Sequence, residues 1–371
     1  MCESDNINSK KNKKGFATLP VHMSEGCILA HDITEIRPGE FKGRAFKKGH
    51  VITKADIEHL QRLGKDNIYL LQIGDDELHE DDAAHTLANA LIGNSKETGV
   101  YPSGEPKEGK IDFIAGRDGL VIIDKAALTS FNMAEDVMCA TLHTNTVVTT
   151  GVKLGGVRAI PLVIKRSLVE QAVAAAKSAE SGAVLKIREI RKPRAGVVIT
   201  GNEVFYGRIK DAFLPVIQRK LAAFGGTIME HIYAPDDVDY IYGKLMYLLN
   251  AGADLLITTG GMSVDPDDIT PIAVKNLPVN LYNYGTSVLP GAMFLIAYVG
   301  GDKYGNLGGA DIPVMCMPAC GMYNKTTVFD LLLPRVLSGE IIDRRALAEM
   351  AHGGFCLSCP ECKYPVCPFG K

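Results

Sequence analysis

The sequence predicts an α/β protein: a parallel-sheet, three-layer domain over residues 194–338, preceded by a smaller mixed α+β and β-rich region. Three observations predict it. From Ala195 onward, short apolar runs of strand length alternate with stretches that repeat apolar residues at helical spacing, which implies a parallel sheet covered on both faces. The 38 glycines exceed ordinary usage, and in such a pattern they fall at tight strand-to-helix turns. Two of those turns combine glycine with carboxylates at the ends of strands, where ligands of parallel sheets bind.

The elements follow in order. At 371 residues the chain suits two or three domains. Residues 1–14, with Lys10-Lys11-Asn12-Lys13-Lys14, read as a solvated, disordered tail. Residues 15–110 read as a mixed unit and linker, with β-like pieces between glycines, a helix from Lys54 to Leu63, helical spacing from Ala83 to Leu91, and a connecting stretch from Gly93. Residues 111–193 read as a β-rich unit, with strands at Gly119–Ile123 and Asn145–Thr149 and an alanine-rich helix from Leu168 to Ala179.

Within 194–338, strands are expected at Gly196–Thr200, Thr227–Tyr233, Asp254–Thr258, Ala292–Val299 and Pro313–Met317. Helices are expected at Asp211–Phe224, Asp237–Leu249 and Asp268–Asn276, with a closing one at Met322–Leu337. Residues 339–371 form a cysteine-rich tail.

Bulk properties exclude several classes. The net charge of −3 gives no reason to expect nucleic acid or an anionic membrane as partner. No apolar run approaches the roughly 18–20 residues that cross a bilayer. The first 16 residues lack the apolar core of a secretory signal. Nine cysteines, four of them in the last 16 residues, do not look like a secreted disulfide framework. A cytoplasmic protein is expected.

Two strand ends carry the chemistry. The first is Thr200-Gly201-Asn202-Glu203, leading to Gly207 and Asp211. The second runs from Thr259-Gly260-Gly261-Met262-Ser263-Val264-Asp265 through Asp267-Asp268 to Thr270-Pro271. Paired glycines let backbone amides approach an anion, and Ser263 adds a hydroxyl. Three carboxylates would repel a phosphate unless a cation lay between, which suits Mg²⁺ bridging carboxylate and phosphate. Equally, Asp268 before Thr270-Pro271 reads as an ordinary helix N-terminus.

The stretch Thr258–Pro271 resembles the signature loop of the molybdopterin-binding domain, shared by molybdopterin adenylyltransferases and molybdopterin molybdotransferases. Thr200-Gly201-x-Glu203 and Gly207-x-x-x-Asp211 are similar to that domain's first loop and helix start. Ser24–Asp32 more weakly resembles the start of the molybdotransferases.

The resemblance implies that Gly260, Gly261, Ser263 and Asp268 hold the pterin phosphate and its metal or nucleotide. Thr200, Gly201, Met262, Val264, Pro290 and Gly291 complete the implied cofactor-binding set. Asp265 and Asp268 are the implied Mg²⁺ ligands. Asp268 and Glu203 are the candidate catalytic carboxylates, with Asp268 acting on the metal rather than as a general base. The resemblance also suggests a homodimer.

The sequence departs from the molybdotransferases at several points. Their Ser-x-Met-Asp-Gly segment is missing. Their Lys-Pro-Gly-Lys motif stands here as Leu289-Pro290-Gly291-Ala292, and their Leu-Pro-Gly-Asn-Pro loop as Met317-Pro318-Ala319-Cys320-Gly321. Asn202 replaces an aspartate and Phe213 an asparagine. Losing two lysines removes cations that could hold molybdate.

Cys356, Cys359, Cys362 and Cys367 have spacing that can place four thiolates around one ion, Zn²⁺ or an iron–sulfur cluster. A redox or persulfide-carrying thiol group and a disordered tail are the other readings. Cys316 and Cys320 read as buried small hydrophobes, Cys320 with the option of facing the cleft.

Two functions follow as expectations. One is a molybdotransferase-like enzyme of molybdenum cofactor biosynthesis, working with Mg²⁺ on molybdopterin or its adenylylated form. The other is a non-catalytic carrier or sensor whose cysteine tail docks a metal, a molybdoenzyme or another cofactor-synthesis protein. A weaker third is a nucleotide transferase on the same loop.

Overall fold

The computed structural model describes residues 18–37, 40–69, 73–262, 265 and 268–371. The expected tail at 1–14 lies outside the described residues. The chain divides into two compact units. One holds the described residues up to Ile114, with Asp124–Thr141 and Lys153–Lys186; the other holds Ala115–Ile123, Leu142–Val152 and Ile187–Lys371. Segments of the expected β-rich unit 111–193 are therefore shared between the two, because its strands pair over long sequence separations.

In the first unit, strands Thr18–Pro20 and Asn67–Tyr69 pair, as do Ile33–Arg37 and Phe41–Phe46. Leu19, Leu29, Ile52, Leu60 and Ile68 form the core beneath them. The expected helix at 54–63 is Lys54–Arg62, held at its start by a capping box in which the Thr53 and Asp56 side chains satisfy backbone amides. The region read as β-rich with one helix also contains a second, Lys125–Asn132. Its N-cap is Asp124, whose carboxylate accepts from the Ala127 amide at 2.9 Å. The cap signal was present in the sequence, but the apolar strands on either side masked it.

The second unit carries the predicted parallel sheet. We number its elements β1 (Arg194–Thr200), α1 (Asn202–Phe205), α2 (Phe213–Ala222), β2 (Thr227–Ala234), α3 (Val238–Asn250), β3 (Leu255–Thr259), α4 (Thr270–Lys275), β4 (Val279–Tyr284), β5 (Leu295–Val299), β6 (Ile312–Met317), α5 (Cys320–Tyr323), α6 (Val328–Leu337) and α7 (Arg344–Glu349). The sheet order is β2-β1-β3-β6-β5-β4. The first four strands are parallel; β5 runs antiparallel to both β6 and β4.

Alternate residues of each strand feed opposite faces, as the pleat requires. Val197, Ile199, Ile257 and Met315 pack under α2 and α6. Val198, Leu256, Val314 and Cys316 pack under α3 and α4. Both faces are covered, so the three layers expected from the sequence are present.

Two expectations inside this domain are corrected. Strand β4 was not foreseen, because asparagines interrupt its Val-Asn-Leu-Tyr-Asn-Tyr pattern. The closing helix expected at Met322–Leu337 is broken into α5 and α6. Asn324 is extended, and Thr327 caps α6: its hydroxyl accepts from the Phe329 amide at 3.2 Å, while Asp330 accepts from the Thr327 amide at 2.7 Å. The polar cap at 327–330 outweighs the helical spacing on either side.

Candidate functional site

The carboxyl ends of β1, β3 and β6 lie side by side, because these strands are neighbours in the sheet. Each opens into a turn before the next helix, and three loops build one cavity of about 390 Å³. Gly260, Gly261, Met262 and Asp268 come from the loop after β3. Leu289 to Met293 come from the loop before β5. Pro318, Ala319 and Cys320 come from the loop after β6. Ligands of parallel sheets occupy this position.

Glycine is needed at specific points of this wall. Gly260 has φ +78, and a Cβ there would lie 2.5 Å from the Thr200 carbonyl oxygen. Gly261 has φ +52, and its Cβ would lie 2.7 Å from the Thr270 hydroxyl. Gly291, with φ +130, would drive a Cβ to 2.4 Å from Val328. At these three places the backbone itself forms the cavity surface, free of side chains.

Polar groups behind the wall hold the loops together. The Thr200 hydroxyl donates to the Thr259 carbonyl at 2.7 Å and lies 3.1 Å from the Thr270 hydroxyl. The Thr270 amide donates to the Gly261 carbonyl at 3.2 Å. The Tyr284 hydroxyl donates to the Met262 carbonyl at 2.7 Å. Its phenol is pushed up first by burial and then by the charge of Asp268. On the opposite wall, Val328 donates its amide to the Pro290 carbonyl, and Thr286 its hydroxyl to the Gly291 carbonyl at 3.1 Å.

Asp268 is half-buried and is the sole charged residue on the cavity among the described residues. Its Oδ2 accepts from the Asp265 amide at 3.1 Å, and its own amide donates to the Asp265 carbonyl at 2.9 Å. Asp265 itself is exposed and off the cavity.

The structure thus gathers Gly260, Gly261, Met262, Asp268, Pro290 and Gly291 from the expected set. Thr200 sits behind the glycines as a brace. Glu203 is exposed and does not line the cavity; its side chain folds over Gly201. Ser263 and Val264 lie outside the described residues. Asp211 caps the first turn of α2 by accepting from the amides of Phe213 and Leu214.

Tyr284 and Met293 were missed in the sequence, Tyr284 because β4 was missed. Cys320 lines the cavity and Cys316 is wholly buried. Among the described residues, no three His, Cys, Asp or Glu side chains are grouped so as to hold a metal ion. The four cysteines at 356–367 are accordingly not gathered around one point. Cys359 and Cys362 face outward, while the backbone of the segment closes on itself. No helix among the described residues is long and apolar enough to cross a membrane.

Sheet and cavity together define an α/β domain with a glycine-walled cleft at its strand ends. Residues 196–338 match the family model of the probable molybdopterin binding domain. Residues 18–72 match a family described as a domain of unknown function.

A CinA-like protein of Mycobacterium avium is 38% identical over 77 residues, which are 21% of this chain and 18% of that protein. A CinA-like protein of Mycobacterium leprae is 34% identical over 77 residues, again 18% of its length. The match thus spans under a fifth of the length of these curated relatives.

Among solved structures, the molybdopterin biosynthesis enzyme MoaB of Thermus thermophilus is 19% identical with a TM-score of 0.32. It covers 40% of this chain and 98% of its own. The tungsten cofactor synthesizing protein MoaB of Pyrococcus furiosus is 18% identical with a TM-score of 0.33, over 40% and 97%.

Proposed function

We propose that the chain binds molybdopterin in the cleft at the ends of β3 and β6 and acts in molybdenum cofactor biosynthesis. The observation that carries this reading is the convergence of Gly260, Gly261, Asp268, Pro290 and Gly291 on one cavity within the matched domain. The glycine backbone admits a flat, anionic ligand, and the apolar side chains of Met262, Leu289 and Met293 suit a ring system.

A single carboxylate fits Mg²⁺, which takes few protein ligands and keeps phosphate oxygens and waters for the rest. Asp268 would hold the ion, whose charge would neutralise the pterin phosphate. Asp268 also accepts from the Asp265 amide within the same loop, so it would serve as both ligand and positioning group. Glu203, exposed beside Gly201, would act on the ligand's outer end. A homodimer, implied by the resemblance, and a cytoplasmic location, expected from the composition, are part of the proposal.

A second reading is favoured by one observation: no lysine or arginine lines the cavity among the described residues. Transfer of molybdate needs cations to hold it, and their lack favours a non-catalytic carrier or sensor.

The test is an anaerobic titration of wild type and Asp268→Asn with molybdopterin, with and without Mg²⁺, and with ATP as a rival ligand. Expected is Mg²⁺-dependent binding weakened about tenfold or more by the substitution. Failure of wild type to bind molybdopterin, or preference for ATP, overturns the proposal. Incubation with molybdate and adenylylated molybdopterin then separates the two readings: release of nucleotide indicates the enzyme, binding without release the carrier.

A further inference from the structure

The segment from Gly353 to Lys371 lies beyond the matched domain, and its thiols play no part in the cleft. Its backbone is closed: the Gly370 amide donates to the Gly353 carbonyl at 2.9 Å. Its apolar anchorage is small. Phe369 is buried in the core under α6, with Cys356, Tyr364 and Cys367 packed partly against it. Short loops with this little core are ordinarily held by a disulfide or a metal, and all four cysteines here are free. Yet all four line a single cavity of about 310 Å³, roofed by Tyr323 to Thr326, and the Thr326 hydroxyl lies 3.5 Å from the Cys362 sulfur.

Two backbone hydrogen bonds tie this loop to the cleft. The Leu289 amide donates to the Gly354 carbonyl at 2.8 Å, and the Cys356 amide donates to the Leu289 carbonyl at 2.8 Å. Leu289 and the two residues after it form a wall of the cleft. The first thiol of the loop therefore sits one residue beyond a strand-like bridge between Leu289 and Phe355.

We propose that Cys356, Cys359, Cys362 and Cys367 close around one soft divalent cation of the zinc class, and that the loaded loop braces the cleft wall at Leu289–Gly291. Four thiolates satisfy a tetrahedral Zn²⁺. On binding, the four thiols release their protons to solvent and four metal–sulfur bonds form, with no change of oxidation state. Cys359 and Cys362 are exposed, so the turns between the cysteines can bring their sulfurs inward without disturbing the core. Metal binding then orders the loop. The two hydrogen bonds to Leu289 pass that order to the cleft. The site rests on thiol chemistry and is independent of what the cleft binds.

The test is a titration of the reduced, metal-free full chain with Co²⁺, followed by displacement with Zn²⁺. Expected is saturation at one ion per chain, with thiolate charge-transfer absorption and the visible bands of a tetrahedral site. Cys359→Ser and Cys362→Ser, both at exposed positions, are each expected to weaken binding about tenfold or more. Hydrogen exchange at the Leu289 and Cys356 amides is expected to slow when Zn²⁺ is added.

Three results would overturn the proposal. They are no saturable uptake, uptake indifferent to both serine variants, or assembly of an iron–sulfur chromophore from iron and sulfide by a chain that takes up neither Co²⁺ nor Zn²⁺. Uptake without slower exchange at Leu289 would overturn the bracing of the cleft.

Discussion

At Gly260 a single hydrogen atom keeps the loop after β3 in place. With φ at +78 and the Thr200 carbonyl oxygen 2.5 Å from any Cβ, Gly260→Ala is expected to cost about 1–3 kcal/mol. The readout is a lower urea midpoint at unchanged slope. An unchanged midpoint would mean the turn relaxes freely and the cleft wall is not strained against β1. Glu80, in the other unit, is a different kind of residue-scale case. Burial pushes its carboxyl up from 4.5 to about 7, with the Asp81 charge adding and Arg158 and Lys48 opposing. The folded chain therefore keeps a proton that the unfolded chain gives up at lower pH. That contribution is fully present below about pH 4.5 and is lost as pH rises through 7. Glu80→Gln is expected to match wild type near pH 4.5 and to be more stable at pH 8 by about 1–3 kcal/mol. Chemical denaturation at the two pH values checks it, and a difference independent of pH would contradict it. Gly260 was legible in the sequence because paired glycines at a strand end have few other uses. Glu80 was not, since its burial comes from residues distant in the chain.

The elements show where periodicity succeeds and where caps override it. Helices α2 and α3 stand within two residues of their expected bounds, because each has one apolar stripe and a clear stop. The Met322–Leu337 stretch has continuous helical spacing, yet Thr327 and Asp330 end one helix and begin another. Thr327→Ala is expected to destabilise the domain by about 1–2 kcal/mol, measured as a lower thermal midpoint. A neutral effect would show that packing alone starts α6. Thr-x-x-Asp at 327–330 was readable as a capping signature, but the apolar run around it concealed the break. Strand β4 was illegible for another reason. It lies at the sheet edge, where only one of its six residues is buried and the pattern of a buried strand is absent.

Across the whole molecule, the proposed ligand site draws on loops some 60 residues apart, all in the unit that carries the parallel sheet. Molybdopterin is therefore expected to slow hydrogen exchange at 260–262, 289–293 and 318–320, while the described residues of the other unit keep their free rates. Protection centred on 18–72 would move the site to the other unit. The sequence by itself determined the parallel α/β fold and the glycine-rich loop after β3. Strand and helix periods are local, and positive φ at a strand end leaves few residue choices. Only the tertiary structure decided that Leu289–Gly291 and Pro318–Cys320 share a cavity with that loop and that Glu203 stands outside it. It alone showed that the cysteine segment is hydrogen-bonded to Leu289. Those facts depend on strand order and on which loops the sheet brings side by side, and residue spacing along a chain carries no record of either.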